Sequence, residues 1–280
     1  MNPVEIDDGP KLPTGAPEAG YSPEWFEFLE KIERRHFWFR SRNRLIVHLL
    51  KRHFPGASNL LEVGSGGGCV LSALSEAQPT LALTGGEPFA EGLEIARRRV
   101  PNATHLELFA EDIPFKNEFD VVGCFDVLEH LKHDTEALSQ IFQATRPGGG
   151  AIFSVPQHMW LWSQADVHAH HQRRYTRREL VAKVKAAGFE VEFCTSYVSS
   201  LLPIMLVSRL TSRKTYRPDR ELRIVPFVNG LCNWIMGAEF RLISWGRSLR
   251  AGGSLFVVAR KPASSASKQV DLDGGGDAIS

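Results

Sequence analysis

The chain has 280 residues, and its 33 lysines and arginines against 32 aspartates and glutamates give a formal net charge of +1 at pH 7. This balance disfavours a dedicated binder of nucleic acid or another polyanion, because such proteins carry a strongly basic surface. The four cysteines are far apart and form no CxxC pair, which excludes a small disulfide scaffold and a four-cysteine zinc ribbon. The length allows one large domain with an insertion or two modest domains.

Both ends of the chain have compositions that cannot offset the entropy of ordering. Residues 1–20 are rich in proline and glycine and residues 263–280 in serine and glycine, so each is predicted to be a disordered tail. The acidic start MNPVEIDDGP is followed by no apolar segment, which predicts a cytoplasmic protein without a signal peptide. No apolar stretch reaches the ~20 residues that a transmembrane helix needs.

A helical segment is predicted over residues 21–58. Ser22 is a suitable N-cap before Pro23, which favours the first helical position. Apolar side chains then recur at helical spacing at Trp25, Phe26, Phe28, Leu29, Ile32, Leu45, Ile46, Leu49 and Leu50. Between the two sets lies the aromatic run His36–Arg40. This segment is a candidate lid, and the alternative is that its aromatic residues belong to an ordinary helix-on-sheet core.

From residue 59 to residue 198 short apolar runs alternate with helical stretches. The predicted strands are 60–63, 81–84, 119–125, 151–155, 189–197 and 254–259. The strand at 151–155 follows a predicted turn over 146–150, and a capping box at Thr176 and Glu179 predicts a helix that ends at Gly188. This alternation predicts an α/β, Rossmann-like, doubly wound sheet. Residues 199–250 interrupt it with an apolar helical insertion before a final core strand within 251–262.

A glycine-rich turn follows the first predicted strand, where the sequence reads Gly64-Ser65-Gly66-Gly67-Gly68. The missing Cβ atoms let a ligand approach the backbone. Cys69 stands where a dinucleotide fingerprint needs glycine, which disfavours an NAD-dependent reductase. Glu62 and Glu87 flank the turn and the end of the next strand. Two carboxylates there suit a nucleoside with ribose hydroxyls and a cationic, amino-acid-bearing group.

Five motifs in register resemble those of class I S-adenosylmethionine (SAM)-dependent methyltransferases, over about residues 35–262. They are Leu61–Gly68, Gly85–Pro88, Glu111–Phe115 with Phe119–Val122, Asp126–His130 and Arg146–Gly149. More narrowly, the chain resembles a bacterial subgroup with an N-terminal HFWFR segment and a later HxRRYT stretch, here His171–Thr176. The resemblance implies SAM as cofactor, seven strands with the last antiparallel, and cofactor binding at the carboxyl ends of the first, second and fourth strands.

The resemblance also implies a set of cofactor-binding residues in this chain. They are Glu62, Gly64, Ser65, Gly66, Gly68, Glu87, Pro88, Asp112, Ile113 and Asp126. Phe109 departs from the pattern, since the family often has an aspartate there that meets the adenine amino group. Adenine recognition is therefore expected from the backbone around Ile113 or from Glu111 or Asp112.

His130 and His171 are the candidate catalytic residues, because an imidazole can take the proton of a hydroxyl that is being methylated. The alternative for His130 is a residue that only packs or caps a helix. Asp126, Glu129 and His130 resemble the metal-binding stretch of some quinone-pathway O-methyltransferases. The same spacing describes an exposed helical face, and no metal is assigned.

Histidines also cluster at 158, 168, 170 and 171, without a cysteine and without the spacing of a known zinc site. We expect this loop to cover the substrate mouth. Arg173 and Arg174 there either clamp an acidic group of the substrate or are solvated charges.

The predicted function is methyl transfer from SAM to a small-molecule or lipid-linked acceptor, with O-methylation favoured. Nucleic acid is disfavoured because the stretch after 119–125 has no Asn/Asp-Pro-Pro-aromatic motif. The alternative is a non-catalytic SAM-binding module that assists or regulates a partner enzyme. Residues 199–250 form either a homodimer interface or extra core, or else a wall for an apolar acceptor with membrane contact near Arg209, Arg213 and Lys214.

Overall fold

The computed structural model describes residues 23–211 and 225–263 of the chain. The tails predicted at 1–20 and 263–280, apart from residue 263, lie outside these ranges, as do the predicted N-cap Ser22 and the residues Arg213 and Lys214. The side chains of 23–25 and 208–211, Arg209 among them, are also outside the description. None of the described helices is long and apolar enough to cross a membrane.

The structure is organised around one seven-stranded sheet in the order β3-β2-β1-β4-β5-β7-β6. Its strands are β1 (Asn59–Val63), β2 (Ala82–Gly86), β3 (Thr104–Leu106), β4 (Phe119–Phe125), β5 (Thr145–Pro156), β6 (Glu190–Tyr197) and β7 (Ser254–Arg260). β7 runs antiparallel to both β5 and β6, and the remaining pairs are parallel. The expected seven-stranded sheet with an antiparallel last strand is confirmed.

Two details of the sheet differ from expectation. β3 was not predicted, because it has three residues and none of them is buried. The predicted turn at 146–150 lies inside β5, which begins at Thr145 opposite Phe119. The pairing of β4 and β5 then shifts register before Val121 meets Gly150, so Pro147 and the glycines after it form an irregularity within the strand.

Helices cover both faces of the sheet. They are α1 (Pro23–Glu33), α2 (Phe37–His53), α3 (Cys69–Ala77), α4 (Ala90–Arg99), α5 (Asp134–Ala144), α6 (Gln164–His168), α7 (Arg177–Ala186), α8 (Leu202–Thr211) and α9 (Pro226–Ser244). α5 and α7 pack in one core cluster, and α2, α3 and α9 pack in the cluster on the opposite face. The capping box predicted at Thr176 and Glu179 is present at the start of α7.

The aromatic run His36–Arg40 forms the start of α2. The ring of His36 caps the helix by accepting a hydrogen bond from the backbone N–H of Trp38. Further along α2, Leu45 and Leu49 are buried against the sheet. α9 lies along the same helix, and the backbone N–H of Phe37 donates to the side chain of Asn229 at 2.8 Å. α2 is thereby fixed between the sheet and α9.

Candidate functional site

The glycine turn after β1 is held in left-handed backbone conformations. Gly64, Gly66 and Gly68 have φ angles of +72°, +52° and +74°, which residues other than glycine rarely adopt. A Cβ atom built on Gly64 would lie 2.3 Å from Cγ2 of Val127, whereas one built on Gly66 would meet no protein atom within 4 Å. The turn therefore offers open space at Gly66 into which a ligand can approach the backbone.

Glu87 follows β2 directly and faces this turn. Its Oε2 atom accepts a hydrogen bond from the backbone N–H of Gly66 at 2.8 Å, and its Oε1 atom accepts one from Phe89 at 3.3 Å. Burial raises the pKa of Glu87 to about 7, although the two N–H donors oppose the change. The structure thus joins two of the predicted site residues, Gly66 and Glu87, in one contact.

Glu62 lies in β1 beneath the turn and is only 2% exposed. Burial raises the pKa of Glu62 to about 8; the charge of Arg42 lowers it and that of Glu87 raises it further. Among the described residues, the Oε2 atom of Glu62 and the Oγ atom of Ser65 have no hydrogen-bond partner. Buried polar atoms are normally paired, so these two fit a polar ligand bound at the turn.

Arg42 joins α2 to the turn after β4. Its Nη1 atom donates to Oδ2 of Asp126 at 2.7 Å, and its guanidinium lies over the ring of Trp38, 4.7 Å from the centroid. Asp126 has a φ of +56°, and its N–H donates to the carbonyl of Ser154 at 2.9 Å. Asp126, predicted as a cofactor residue, is therefore bound to an arginine that sequence reasoning had not singled out.

Three further predicted cofactor residues follow β2 and β3. Pro88 follows Glu87 and is half-buried, while Asp112 is exposed and Ile113 is buried in the core. The loop after β3 is tied to Glu87, since the N–H of Leu108 donates to its carbonyl at 3.3 Å. The next residue, Phe109, is 56% exposed. This places an accessible aromatic ring on the loop beside Glu87.

A second polar cluster is centred on Asp166, which sequence reasoning missed. Its Oδ1 atom lies 2.9 Å from Nδ1 of His171 and accepts from Nε of Arg174 at 2.7 Å, while its Oδ2 atom accepts from Nη2 of Arg174 at 3.0 Å. Arg174 is buried, so it is not the solvated charge that one of the two alternatives expected, and Asp166 occupies its Nε and Nη2 atoms. Arg173 is bound to Asp134 at 3.1 Å. The only available sequence signal for Asp166 was its capping box with Ser163.

His130 and His171, both predicted as catalytic, lie together. Their ring centroids are 4.7 Å apart, and burial together with the charge of His171 lowers the pKa of His130 to about 3. Donor atoms of Glu129, His130 and His171 lie within 4.8 Å of one another, so within the described ranges these three could hold a metal ion or exchange a proton. His171 takes the place in this group that the sequence analysis gave to Asp126.

Glu129 connects the two clusters. It is buried, and burial followed by the charge of Asp126 raises its pKa well above the ordinary value. Arg174 on one side and Arg42 on the other oppose this rise. The N–H of Gln172 donates to the carbonyl of Glu129 at 2.7 Å. The segment that carries His171 is therefore fixed over the turn that carries Asp126.

The antiparallel last strand, the glycine turn after β1 and the carboxylate after β2 together define the class I methyltransferase fold. The chain belongs to the methyltransferase-domain family, whose model matches residues 31–192.

Similar proteins agree with this assignment. A "Probable S-adenosylmethionine-dependent methyltransferase" of Mycolicibacterium smegmatis is 27% identical over 164 residues, covering 58% of this chain and 62% of that protein. A "Ubiquinone biosynthesis O-methyltransferase" of Pseudomonas fluorescens is 29% identical over 106 residues, covering 34% of this chain and 43% of that protein. The alignments thus span less than two thirds of these relatives.

Among solved structures, phosphoethanolamine N-methyltransferase 2 of Haemonchus contortus in complex with SAM has a TM-score of 0.59 at 18% identity, covering 86% of this chain and 58% of that chain. A putative methyltransferase of Haloferax volcanii, solved with the activator Trm112, has a TM-score of 0.56 at 16% identity, covering 86% and 96%. At these identities the likeness concerns the fold alone.

Proposed function

We propose that the protein transfers a methyl group from SAM to a hydroxyl of a small-molecule or lipid-linked acceptor. The observation that carries the proposal is the contact between Glu87 and the N–H of Gly66, which sets a carboxylate beside open space at the glycine turn. The similarity to ubiquinone biosynthesis O-methyltransferases supports an oxygen acceptor.

The residues at the turn fit SAM. Glu87 would accept hydrogen bonds from the ribose hydroxyls, while Glu62, whose buried Oε2 has no partner among the described residues, would stabilise the cationic amino-acid part. The proposed set of cofactor-binding residues also includes Gly64, Ser65, Gly66, Gly68, Pro88, Asp112, Ile113 and Asp126. The exposed ring of Phe109 offers a stacking surface for the adenine. When bound, SAM supplies a methyl group on sulfur that is already activated for in-line displacement.

For the acceptor proton we propose His171 as the general base. Asp166 lies 2.9 Å from its Nδ1 atom, an arrangement that keeps a proton on Nδ1 and leaves Nε2 as the acceptor. Nε2 would take the hydroxyl proton as the oxygen attacks the methyl group. Asp166, itself fixed by Arg174, acts as a positioning residue. His130, packed against His171, remains neutral at physiological pH and lines the same place.

The test is calorimetric titration with SAM followed by a methyl-transfer assay with radiolabelled SAM and fractionated cell extracts. We expect micromolar binding and labelling of a small or lipid-extractable product. SAM binding without transfer to any fraction would favour the alternative, a non-catalytic SAM-binding module. Absence of SAM binding in the folded protein would contradict both.

A further inference from the structure

The helix α9 turns an apolar stripe outward. The stripe follows one helical face and continues just past the end of the helix, with exposed side chains at Phe227, Leu231, Trp234, Leu242 and Trp245. Phe227, Trp234 and Trp245 are 79%, 72% and 76% exposed. A surface helix normally turns its apolar side to the core and its polar side to water. A row of large apolar side chains that faces water instead marks an interaction surface.

The side of α9 that packs within the chain is not the side that carries this stripe. The opposite side of α9 is already fixed, because Met236 and Ile243 are buried in the cluster that includes α2. Buried Glu239 accepts hydrogen bonds from the N–H groups of Ser199 and Ser200 at 3.0 and 2.7 Å. The helix therefore has two apolar sides, and packing within the chain accounts for only one of them.

The exposed charges described on α9, just after it and on the neighbouring α2 have one sign. Among residues 225–250 the one acidic residue is Glu239, which is 1% exposed, whereas Arg241, Arg247 and Arg250 are exposed. α2, which runs alongside, contains no aspartate or glutamate. Two of its arginines reach α9, since Arg52 donates to the carbonyl of Ser244 at 3.0 Å and Arg44 to the side chain of Asn233 at 3.5 Å. Along residues 225–250 and α2, within the part of the chain that the structure describes, the exposed charges that border the stripe are thus all basic.

We propose that the outward face of α9 lies in the interfacial layer of an anionic lipid bilayer, parallel to its plane. Tryptophan, phenylalanine and leucine on one face with arginines at its border are the composition of interfacial helices. The arginines complement lipid phosphates, whose attraction acts within a Debye length of the surface. A second copy of the chain fits this face less well, because a symmetric pair would bring the two basic borders together.

The position of α9 relates this surface to the candidate site at the glycine turn. Its first turn contacts the first turn of α2 through Asn229 and Phe37, and α2 reaches Asp126 through Arg42. The membrane-facing stripe therefore begins at the end of the molecule that carries the candidate site. If the proposed function holds, an amphiphilic acceptor would present its polar end there while its apolar part stays in the bilayer. Binding to lipid does not itself depend on the proposed function.

The experiment is co-sedimentation of the full chain with phosphatidylcholine vesicles, with and without phosphatidylglycerol. Two double variants are tested, Trp234→Ala with Trp245→Ala and Arg241→Gln with Arg247→Gln. The control is the double variant Arg178→Gln with Lys185→Gln, which removes two exposed charges from α7 on the opposite face of the sheet. We expect binding to the anionic vesicles only, weakened about tenfold or more in the first two variants and weakened by salt. The control should bind like the natural chain.

Thermal melting of each variant separates misfolding from loss of lipid binding. The SAM affinity of each variant reports on the proposed function separately from lipid binding. Should the tryptophan variant unfold, quenching of tryptophan fluorescence by brominated lipid in the natural chain and in the arginine variant replaces it. Equal binding by all variants would overturn the proposal, as would no binding to anionic vesicles. A dimer in sedimentation equilibrium that the tryptophan substitutions abolish would assign the face to a second copy instead.

Discussion

The Nη1 atom of Arg42 lies 2.7 Å from Oδ2 of Asp126, and this ion pair joins the helix before the sheet to the turn after its fourth strand. The two side chains are 11% and 20% exposed, so water screens the pair only in part. Arg42 also lowers the pKa of Glu62. One arginine thus stabilises two of the carboxylates at the candidate cofactor site.

Arg42→Ala should lower the free energy of unfolding by about 2 kcal/mol, since a charge-assisted hydrogen bond between largely buried groups is lost. Chemical denaturation measures this effect. Arg40→Ala, which removes an exposed arginine from the same helix turn, is the control and should change stability little. Equal stability of the two variants would show that the pair with Asp126 contributes nothing measurable.

Gly66→Ala should abolish SAM binding while the protein stays folded, because the new Cβ enters the open space at the turn and touches no protein atom. The left-handed φ costs about 1 kcal/mol in stability. Gly148→Ala is matched to it, with a φ of +79° and open space around its Cβ, but lies in β5 away from the turn. Calorimetry should find SAM affinity lost in the first variant and kept in the second. Normal SAM binding by Gly66→Ala would show that the turn does not approach the cofactor.

The raised pKa values of Glu62 and Glu87, about 8 and about 7, predict a pH dependence in the absence of ligand. Each carboxyl group has a higher pKa in the folded chain than its ordinary value of 4.5, so the fold favours its protonated form. The resulting contribution to the free energy of unfolding is fully present below pH 4.5. This contribution is lost as the pH rises toward 8. The melting temperature of the free protein should therefore fall across this range, and less so in Glu62→Gln.

SAM affinity should change in the opposite direction, because the cationic ligand needs the carboxylates ionised. Below the pKa of Glu62, affinity should rise by up to about tenfold per pH unit, and this rise should be weaker in Glu62→Gln. Glu76→Gln, at an exposed position of α3, is the control and should follow the natural chain. A pH-independent affinity in the natural chain would contradict the assignment of Glu62 to the cofactor.

Six of the seven strands and the glycine turn could be predicted because they depend on local patterns: apolar runs, glycines and the carboxylates beside them. The seven-stranded sheet with its antiparallel last strand was expected only from the resemblance to a family. Contacts across long stretches of chain could not be predicted. Arg42 meets Asp126 across 84 positions, and no spacing rule links a helical arginine to that turn. The apolar spacing in α9 was predicted, yet periodicity does not tell which of two apolar sides meets the sheet. The structure places Met236 inside and Trp234 outside.

The arrangement of His171, Asp166 and His130 leads to the last prediction. His171→Asn should reduce turnover by about a hundredfold or more, the usual effect of removing a general base, and should leave SAM affinity unchanged. His170→Asn is the matched control, since this neighbour has a φ of +55°, which asparagine tolerates. Asp166→Asn should shift the pH profile of turnover, because it changes the group that orients the imidazole.

Because Glu129, His130 and His171 are close enough to hold an ion, the assays are repeated after treatment with a chelator. Unchanged activity together with loss of activity in His171→Asn supports the general base. Activity that disappears with the chelator and returns with a divalent cation would assign the three side chains to a metal instead. Full turnover by His171→Asn would leave alignment of the acceptor with the methyl group as the source of catalysis.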